Sequence, residues 1–352
     1  MINIDGVEIT EDNPAYFIAE IGSNFDGSLD RAKALIELAV ESGAHAVKFQ
    51  HYTANTLVSH EAFVKLGASI SHQKSWKQSV FDTYAEASLQ KEWTGALFDF
   101  CKRQQITFFT SPYSHELADF VEPFVAAYKI GSGDISYLDL IEHIADKGKP
   151  VLLATGASDL KDVDRAVQTL SSHNSNFVLM QCNTNYESQP ENFSYLNLRV
   201  LENFRARYPS AVLGFSDHTK GHSAVLGSIA LGARVIEKHF TDDTSRPGPD
   251  HGFAMDPNAW KQMMSAAAEL HAALGDGVKR IEANETQTVK VQRRGVVAAT
   301  DLNIGHSLSK KDFRYLRPLH GTGYHPYEHE LLIGRKLSAP IKKGEPILNE
   351  HF

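Results

Sequence analysis

Two histidines, His218 and His239, each stand where an apolar run stops, in the segments Gly214-Phe215-Ser216-Asp217-His218-Thr219 and Ile236-Glu237-Lys238-His239-Phe240. A helical stretch at 222–232 separates the runs, and a strand–helix–strand unit makes its two strands parallel neighbours. Both imidazoles then emerge at the same edge of one sheet. Imidazole is the commonest protein ligand for a transition metal, and two at one edge leave open positions for a substrate. The competing reading is a pair of hydrogen-bonded structural histidines, and 17 histidines in the chain make a chance pairing easy.

Polar residues collect at the ends of the other apolar runs as well. In chain order these are Glu20 and Asn24, Lys48 and Gln50, Thr110 and Ser111, and then Lys129, Ser132 and Asp134. Thr155, the group Thr184, Asn185 and Tyr186, then Ser216 and Asp217, and finally Glu237 complete the series. One charged residue within an apolar strand is commonly a paired structural ion. Lys48 and Lys129 are each flanked by apolar residues, where an ammonium is costly unless compensated, and a bound anion compensates it. With the hydroxyls of Thr110, Ser111, Ser132 and Ser216 they outline a pocket for phosphate and carboxylate groups. A lone lysine can instead form a Schiff base, but two lysines beside two histidines fit anion binding better. The Gly/Pro-rich segment 245–251 reads either as a surface turn or as a shaped loop that brings Asp250 and His251 to the same place.

Such a set needs a scaffold that gathers strand ends. From residue 17 to about 273, short apolar runs alternate with amphipathic stretches. The pattern predicts strands at 17–22, 46–50, 107–111, 127–132, 151–156, 177–182, 212–216 and 235–240, with helices such as 28–42 and 160–170 between them. Eight strands, each followed by a helix, make a (β/α)8 or TIM barrel, whose sites lie at the C-terminal ends of its strands. A doubly wound open sheet is the rival, but no Gly-x-Gly-x-x-Gly follows the first strand. The barrel takes residues 1–274, a polar linker 275–295, and a small β-rich domain with Gly/Pro turns 296–352. The longest connection, 51–90, carries Thr53, Thr56, Ser59, His60, Ser69, Ser71, Trp76 and Tyr84. It suits a substrate-covering loop and a structureless insertion equally.

Composition narrows the chemistry. The 352 residues are 42% hydrophobic and 22% charged, with a mean hydropathy of −0.29, as in ordinary soluble globular proteins. No apolar run approaches the roughly 20 residues a membrane span needs. The first residues lack the basic-then-apolar order of a secretory signal, and two cysteines suit a reducing cytoplasm. A net charge of −8 speaks against nucleic acid or an anionic membrane as partner. An anionic substrate must therefore be held by a few well-placed lysines and arginines.

Taken in order, these segments resemble the sialic acid synthase family, enzymes that condense phosphoenolpyruvate with an N-acylated aldohexose. The likeness runs through Ala19-Glu20-Ile21-Gly22-Ser23-Asn24, Val47-Lys48-Phe49-Gln50, Thr110-Ser111-Pro112-Tyr113-Ser114, Lys129-Ile130-Gly131-Ser132-Gly133 and Thr155-Gly156. It continues through the two histidine segments and Gly248-Pro249-Asp250-His251, and ends with Leu316-Arg317-Pro318 in a tail similar to the antifreeze-like SAF domain, a β-clip. The resemblance implies a divalent ion, usually manganese with magnesium or cobalt as alternatives, on His218 and His239. It implies phosphoenolpyruvate on Lys48, Thr110, Lys129, Ser132 and Ser216, and a sugar facing Glu20, Tyr186 and Asp250. Asn24, Gln50, Ser111, Thr155, Thr184 and His251 complete the implied substrate set, and Glu20 or Asp134 the proton-transfer group. Family members are domain-swapped homodimers, so Arg317 is expected to reach the partner's site and touch the sugar's acylamino group.

The chain departs from the family's common pattern at three positions. Asp134 stands where a glutamate is usual, Ala154 where a serine is usual, and Thr184 where an asparagine often stands. Arg317-Pro318-Leu319-His320-Gly321 followed by His325-Pro326 is similar to the pseudaminic acid branch, while Gly248-Pro249-Asp250-His251 favours the neuraminic and legionaminic branches. The leading expectation is a nonulosonic acid synthase, acting on N-acetylmannosamine or on a diacetamido-trideoxyhexose. A deoxy-heptulosonate or deoxy-octulosonate synthase would need a second basic cluster for its acceptor's phosphate. A non-catalytic sugar-binding protein would not need lysines and histidines at several strand ends.

Overall fold

Side chains alternate between the two faces of a strand, so a closed sheet has one set facing its interior and one facing the helices around it. The structure, a computed structural model, describes residues 1–66, 73, 76–187 and 189–352. It opens with a hairpin, β1 (Ile2–Ile4) and β2 (Val7–Ile9), that the sequence pattern did not announce. Eight strands follow: β3 (Tyr16–Glu20), β4 (Ala46–His51), β5 (Thr107–Pro112), β6 (Tyr128–Ile130), β7 (Val151–Ala154), β8 (Phe177–Cys182), β9 (Val212–Asp217) and β10 (Val235–His239). They pair in parallel, in sequence order, and β10 closes on β3. This is the expected (β/α)8 barrel.

The helices are α1 (Leu29–Glu41), α2 (Ala54–Leu57), α3 (His60–Leu66), α4 (Val80–Ala87), α5 (Thr94–Arg103) and α6 (His115–Val121), then α7 (Leu138–Ala145), α8 (Leu160–His173), α9 (Val200–Arg207), α10 (Ser223–Ala230) and α11 (Pro257–Leu274). Ser28, Ser114, Asp159 and Asp256 cap α1, α6, α8 and α11 by accepting backbone N–H bonds from the first turn. The described part of the connection after β4 holds three helices, α2, α3 and α4; Ser69 and Ser71 lie outside the described residues. Among the described residues, no helix is long and apolar enough to cross a membrane.

Two apolar layers result. Outward-facing Phe17, Val47, Phe108, Leu153, Phe215 and Ile236 pack against helix residues such as Leu35, Leu97, Ile144 and Leu170. Inward-facing Tyr16, Ala46, Phe109, Leu152, Val178 and Val235 fill the barrel, and Ile2, Ile4 and Ile9 of the hairpin join that cluster. The hairpin thus seals the barrel at the N-terminal ends of its strands, where Thr107 also donates to Asp5.

The chain divides into two compact units, Met1–Gly275 and Asp276–Phe352. In the second, β11 (Gly295–Ala298) pairs antiparallel with β12 (Phe313–Leu316). Other expected strands form only single bridges, such as Leu302 with Ile341 and Val297 with Pro346. Val296, Leu302, Leu308, Leu332, Ile341 and Ile347 make a small core there. The segment expected as a linker holds a helix, α12 (Thr286–Gln292), none of whose residues is buried. Local hydrogen bonds form it without an apolar stripe.

Gly214 lies in the interior layer of β9. A Cβ there would come within 2.8 Å of Met180 Cγ, 2.9 Å of Val178 Cγ1 and 2.9 Å of the Val235 carbonyl oxygen. A side chain can turn away, but a ladder carbonyl cannot. Gly214→Ala is expected to lower the unfolding free energy by about 1–3 kcal/mol, read from the urea midpoint; a midpoint equal to the parent's contradicts this packing.

Candidate active site at the barrel mouth

Strand register assembles the site. Across the sheet, His239 on β10 is level with Glu20 on β3, and Glu20 with Lys48 on β4. One pleat deeper, Glu237 is level with Ser216 on β9. All these side chains face inward, and Glu20, Lys48, Lys129, Ser216, Glu237 and His239 are all buried.

They form one charge network. Lys48 Nζ lies 2.7 Å from Glu20 Oε2 and donates to Ser111 Oγ at 3.2 Å. Lys129 Nζ donates to Glu237 Oε1 at 2.9 Å, and Lys48 Nζ stands 3.9 Å from the same oxygen. Gln50 donates to Glu20 Oε1 at 2.7 Å, and Ser216 to Glu237 Oε1 at 3.4 Å. Burial raises the Glu20 carboxyl to about 7, with Lys48 opposing the rise and Glu237 adding to it. Burial also acts upward on Glu237, but Lys129 and Lys48 outweigh it and hold that carboxyl below the usual range.

A cavity of about 50 Å³ lies among these groups, lined also by Ala154, Cys182, Thr184 and Tyr186. Gln50, Tyr113, Gly131, Ser132, Tyr186 and His239 are shared with a larger cavity of about 390 Å³ above it. Leu57, Phe63, Trp76 and Tyr84 from the helical insertion line the larger cavity, together with Asp134 and Asp250. Burial raises Asp134 to about 6 and also raises Asp250.

The two histidines meet at this junction. Their ring centroids are 5.4 Å apart, and Phe253 packs edge-on against both. Burial lowers His218 to about 4 and His239 well below its ordinary value, so both rings are neutral at neutral pH. His218 Nδ1 lies 3.0 Å from the Asn183 carbonyl oxygen, a contact that only an N–H can make, which leaves the Nε2 lone pair free to ligate. His239 Nδ1 is buried without a hydrogen-bond partner and stands 3.8 Å from Asp250 Oδ2. Neutral imidazoles, an orphaned ring nitrogen and a nearby carboxylate fit a divalent cation. Gly22 makes the approach possible: its φ is +52°, and a Cβ there would lie 2.6 Å from Asp250 Oδ2, 3.3 Å from Glu20 Oε1 and 3.5 Å from His239 Cε1. Among the described residues, the trio with metal-ligand spacing is Glu142, Asp146 and His173, exposed at α7 and α8 and lining neither mouth cavity; His218, His239 and Asp250 are not so closely gathered.

Other expected residues lie outside the cavities. Thr110 is the clear correction: Phe109 and Ser111 face inward, so Thr110 faces outward, where its hydroxyl bonds His51 Nδ1 at 2.7 Å and the Phe49 carbonyl. Thr155 donates to the Met180 carbonyl, and Asn24 to the Phe240 carbonyl. His251 has both ring nitrogens engaged, by Thr241 and Asp26, and so anchors the loop that carries Asp250. Asp250 in turn accepts the Ser23 N–H at 3.1 Å. Arg317 belongs to the second unit and is exposed. The sequence pattern marks Glu237 only as a strand-end residue, although its position two residues before His239 puts both on the same strand face.

Residues 35–279 match the NeuB family, and residues 293–352 match the SAF domain. The chain belongs to the NeuB family. It is 34% identical over 346 residues to the N,N'-diacetyllegionaminic acid synthase of Legionella pneumophila, covering 96% of this chain and 94% of that protein. It is 30% identical over 347 residues to a pseudaminic acid synthase of Campylobacter jejuni, covering 97% of each. The N-acetylneuraminic acid (sialic acid) synthetase structure from Leptospira borgpetersenii, in complex with citrate, matches with a TM-score of 0.71 and 27% identity, over 82% of this chain and 94% of that one. The three departures from the NeuB-type pattern all border the cavities, Ala154 and Thr184 the inner one and Asp134 the outer.

Glu20 gives the site a pH signature. In the fold burial holds its proton to about pH 7, whereas a free glutamate side chain loses it near 4.5. The native chain therefore binds the extra proton across that window, and this group's contribution to stability falls as pH rises through it. Relative to the parent, Glu20→Gln is expected to gain unfolding free energy as pH rises from 4.5 to 8. Urea midpoints at both ends of that range measure it, and a pH-independent difference contradicts the assignment.

Proposed function

We propose that this chain is a nonulosonic acid synthase that condenses phosphoenolpyruvate with N-acetylmannosamine or a related acylamino-hexose, giving a sialic-type acid and phosphate. The buried network of Lys48, Lys129, Glu20 and Glu237 beside two neutral imidazoles carries this reading. The legionaminic, pseudaminic and sialic acid relatives support the reaction class. A diacetamido-trideoxyhexose acceptor is the alternative within the same chemistry. Among the described residues lining the outer cavity there is no lysine or arginine, which favours an uncharged acceptor over the phosphorylated aldose of the heptulosonate-type synthases.

Lys48 and Lys129 hold the anionic groups of phosphoenolpyruvate, with Ser111, Ser132 and Ser216 as hydroxyl donors. The acceptor's aldehyde then lies toward His218 and His239, and its hydroxyls toward Tyr186, Asp134 and Asp250. His218, His239 and the Asp250 carboxylate would hold a divalent ion, manganese in our reading. Such an ion supplies Lewis-acid polarisation of the aldehyde. The enol carbon attacks that aldehyde, water adds at C-2, and phosphate leaves by C–O cleavage. An anion beside Lys48 withdraws that lysine's support from Glu20 and adds negative charge, so Glu20 takes up a proton as phosphoenolpyruvate binds. It is then placed to give that proton to the developing alkoxide. Asp134, raised to about 6, is the second candidate.

In this reading the enzyme is a domain-swapped homodimer in which Arg317 serves the partner's barrel. A cytoplasmic setting is supported by two buried free cysteines, Cys101 and Cys182.

Phosphate release in the presence of manganese, measured with N-acetylmannosamine and with both diacetamido-trideoxyhexoses, tests the proposal. Release with none of the three overturns it. Lys129→Met is expected to raise the Michaelis constant for phosphoenolpyruvate roughly 10–100-fold, and an unchanged constant removes Lys129 from the anion pocket. Mixing Lys129→Met with Arg317→Ala is expected to restore activity through hybrid dimers; no recovery at any ratio counts against a shared site.

A further inference from the structure

The residues just before the two histidines are charged and face the other way. Asp217 and Lys238 are directly opposite each other on β9 and β10, and neither side chain has exposed surface. Lys238 Nζ lies 2.6 Å from Asp217 Oδ2 and also donates to the Thr219 carbonyl. Asp217 Oδ1 accepts the Thr219 N–H at 2.9 Å and the Thr219 hydroxyl at 2.8 Å. Every one of these bonds crosses over or flanks His218.

This matters because the two histidines are held unequally by the sheet. His239 is inside the ladder, level with Glu20. His218 lies beyond it, since the pairing of β9 with β10 ends at Lys238 and Asp217. A residue one step past a strand normally takes its position from the loop that follows. Here the carboxylate and the ammonium lock residues 217–219 onto β10 on the side of the sheet away from the cavity. An apolar pair of equal volume would pack this layer at least as stably, because buried ion pairs seldom add net stability. What the pair adds is direction.

We infer that the Asp217–Lys238 ion pair is a positioning clasp, setting the spacing of His218 to His239 that a divalent cation requires. The inference rests on the metal-site reading above. Asp217 and Lys238 touch neither cavity and are not catalytic.

The test is manganese binding to the full-length protein, followed by electron paramagnetic resonance of free Mn2+, alongside phosphoenolpyruvate binding by calorimetry. Asp217→Asn, close in shape, and Lys238→Met are expected to weaken Mn2+ about 10–100-fold while phosphoenolpyruvate affinity without metal stays within about twofold. If the single variants do not accumulate as folded protein, Asp217→Leu with Lys238→Met, which strands no buried charge, carries the same expectation. Mn2+ affinity equal to the parent's in any folded variant overturns the clasp, as does an equal loss of phosphoenolpyruvate binding. A parent that binds Mn2+ no better than His218→Ala and His239→Ala removes the metal reading and the clasp together. Normal parent binding with insensitive clasp variants removes the clasp alone.

Discussion

Charge held inside an apolar barrel has to be neutralised within a few ångströms, and the mouth of this barrel is built around that constraint. Two ammonium and two carboxylate groups stand there with almost no contact with bulk water. Their balance depends on register: a one-residue slip of β3, β4 or β10 would turn Glu20, Lys48 or Glu237 toward the helices and leave its partner uncompensated. The same balance makes the site responsive. Any anion entering near Lys48 or Lys129 changes the sum, and a proton must follow. Glu20, raised to about 7, is the member of the network able to take it at neutral pH.

Above that charged floor the chemistry changes character. The larger cavity is walled by Tyr52, Tyr84 and Tyr113, which meet edge-to-face, and by apolar residues of the helical insertion. Hydroxyls and ring faces suit a neutral, partly apolar molecule. In the proposed function, binding would be divided by depth, with anion below and sugar above. The histidine pair stands at the boundary, where the two reacting carbons would meet.

Much of this was legible in the chain. Parallel strands buried on both faces read as continuous apolar runs, so a polar residue near the end of such a run stands out, and Lys48, Lys129, His218 and His239 were visible for that reason. Thr110 shows where local pattern stops being informative. It shares its run with Ser111, and only the phase of the alternation, set by neighbouring strands, decides which of the two faces the interior. His251 and Asn24 lie at the right end of the barrel yet are consumed in anchoring loops. The role of Glu237 depends on Lys129, more than a hundred residues away in the chain, and local pattern carries no such information. The opening hairpin was missed because three-residue strands are too short for periodicity to register.

That hairpin has a consequence beyond packing. With Ile2, Ile4 and Ile9 seated among the interior residues, the barrel is a blind well, and the small charged chamber opens toward the larger one through a shared rim. Traffic in such a well is sequential. In the proposed reaction, phosphoenolpyruvate in the lower chamber would have to enter before the sugar above it. Three isoleucines at the opposite end of the barrel from the charged network thereby close the floor and leave the mouth as the way into both chambers.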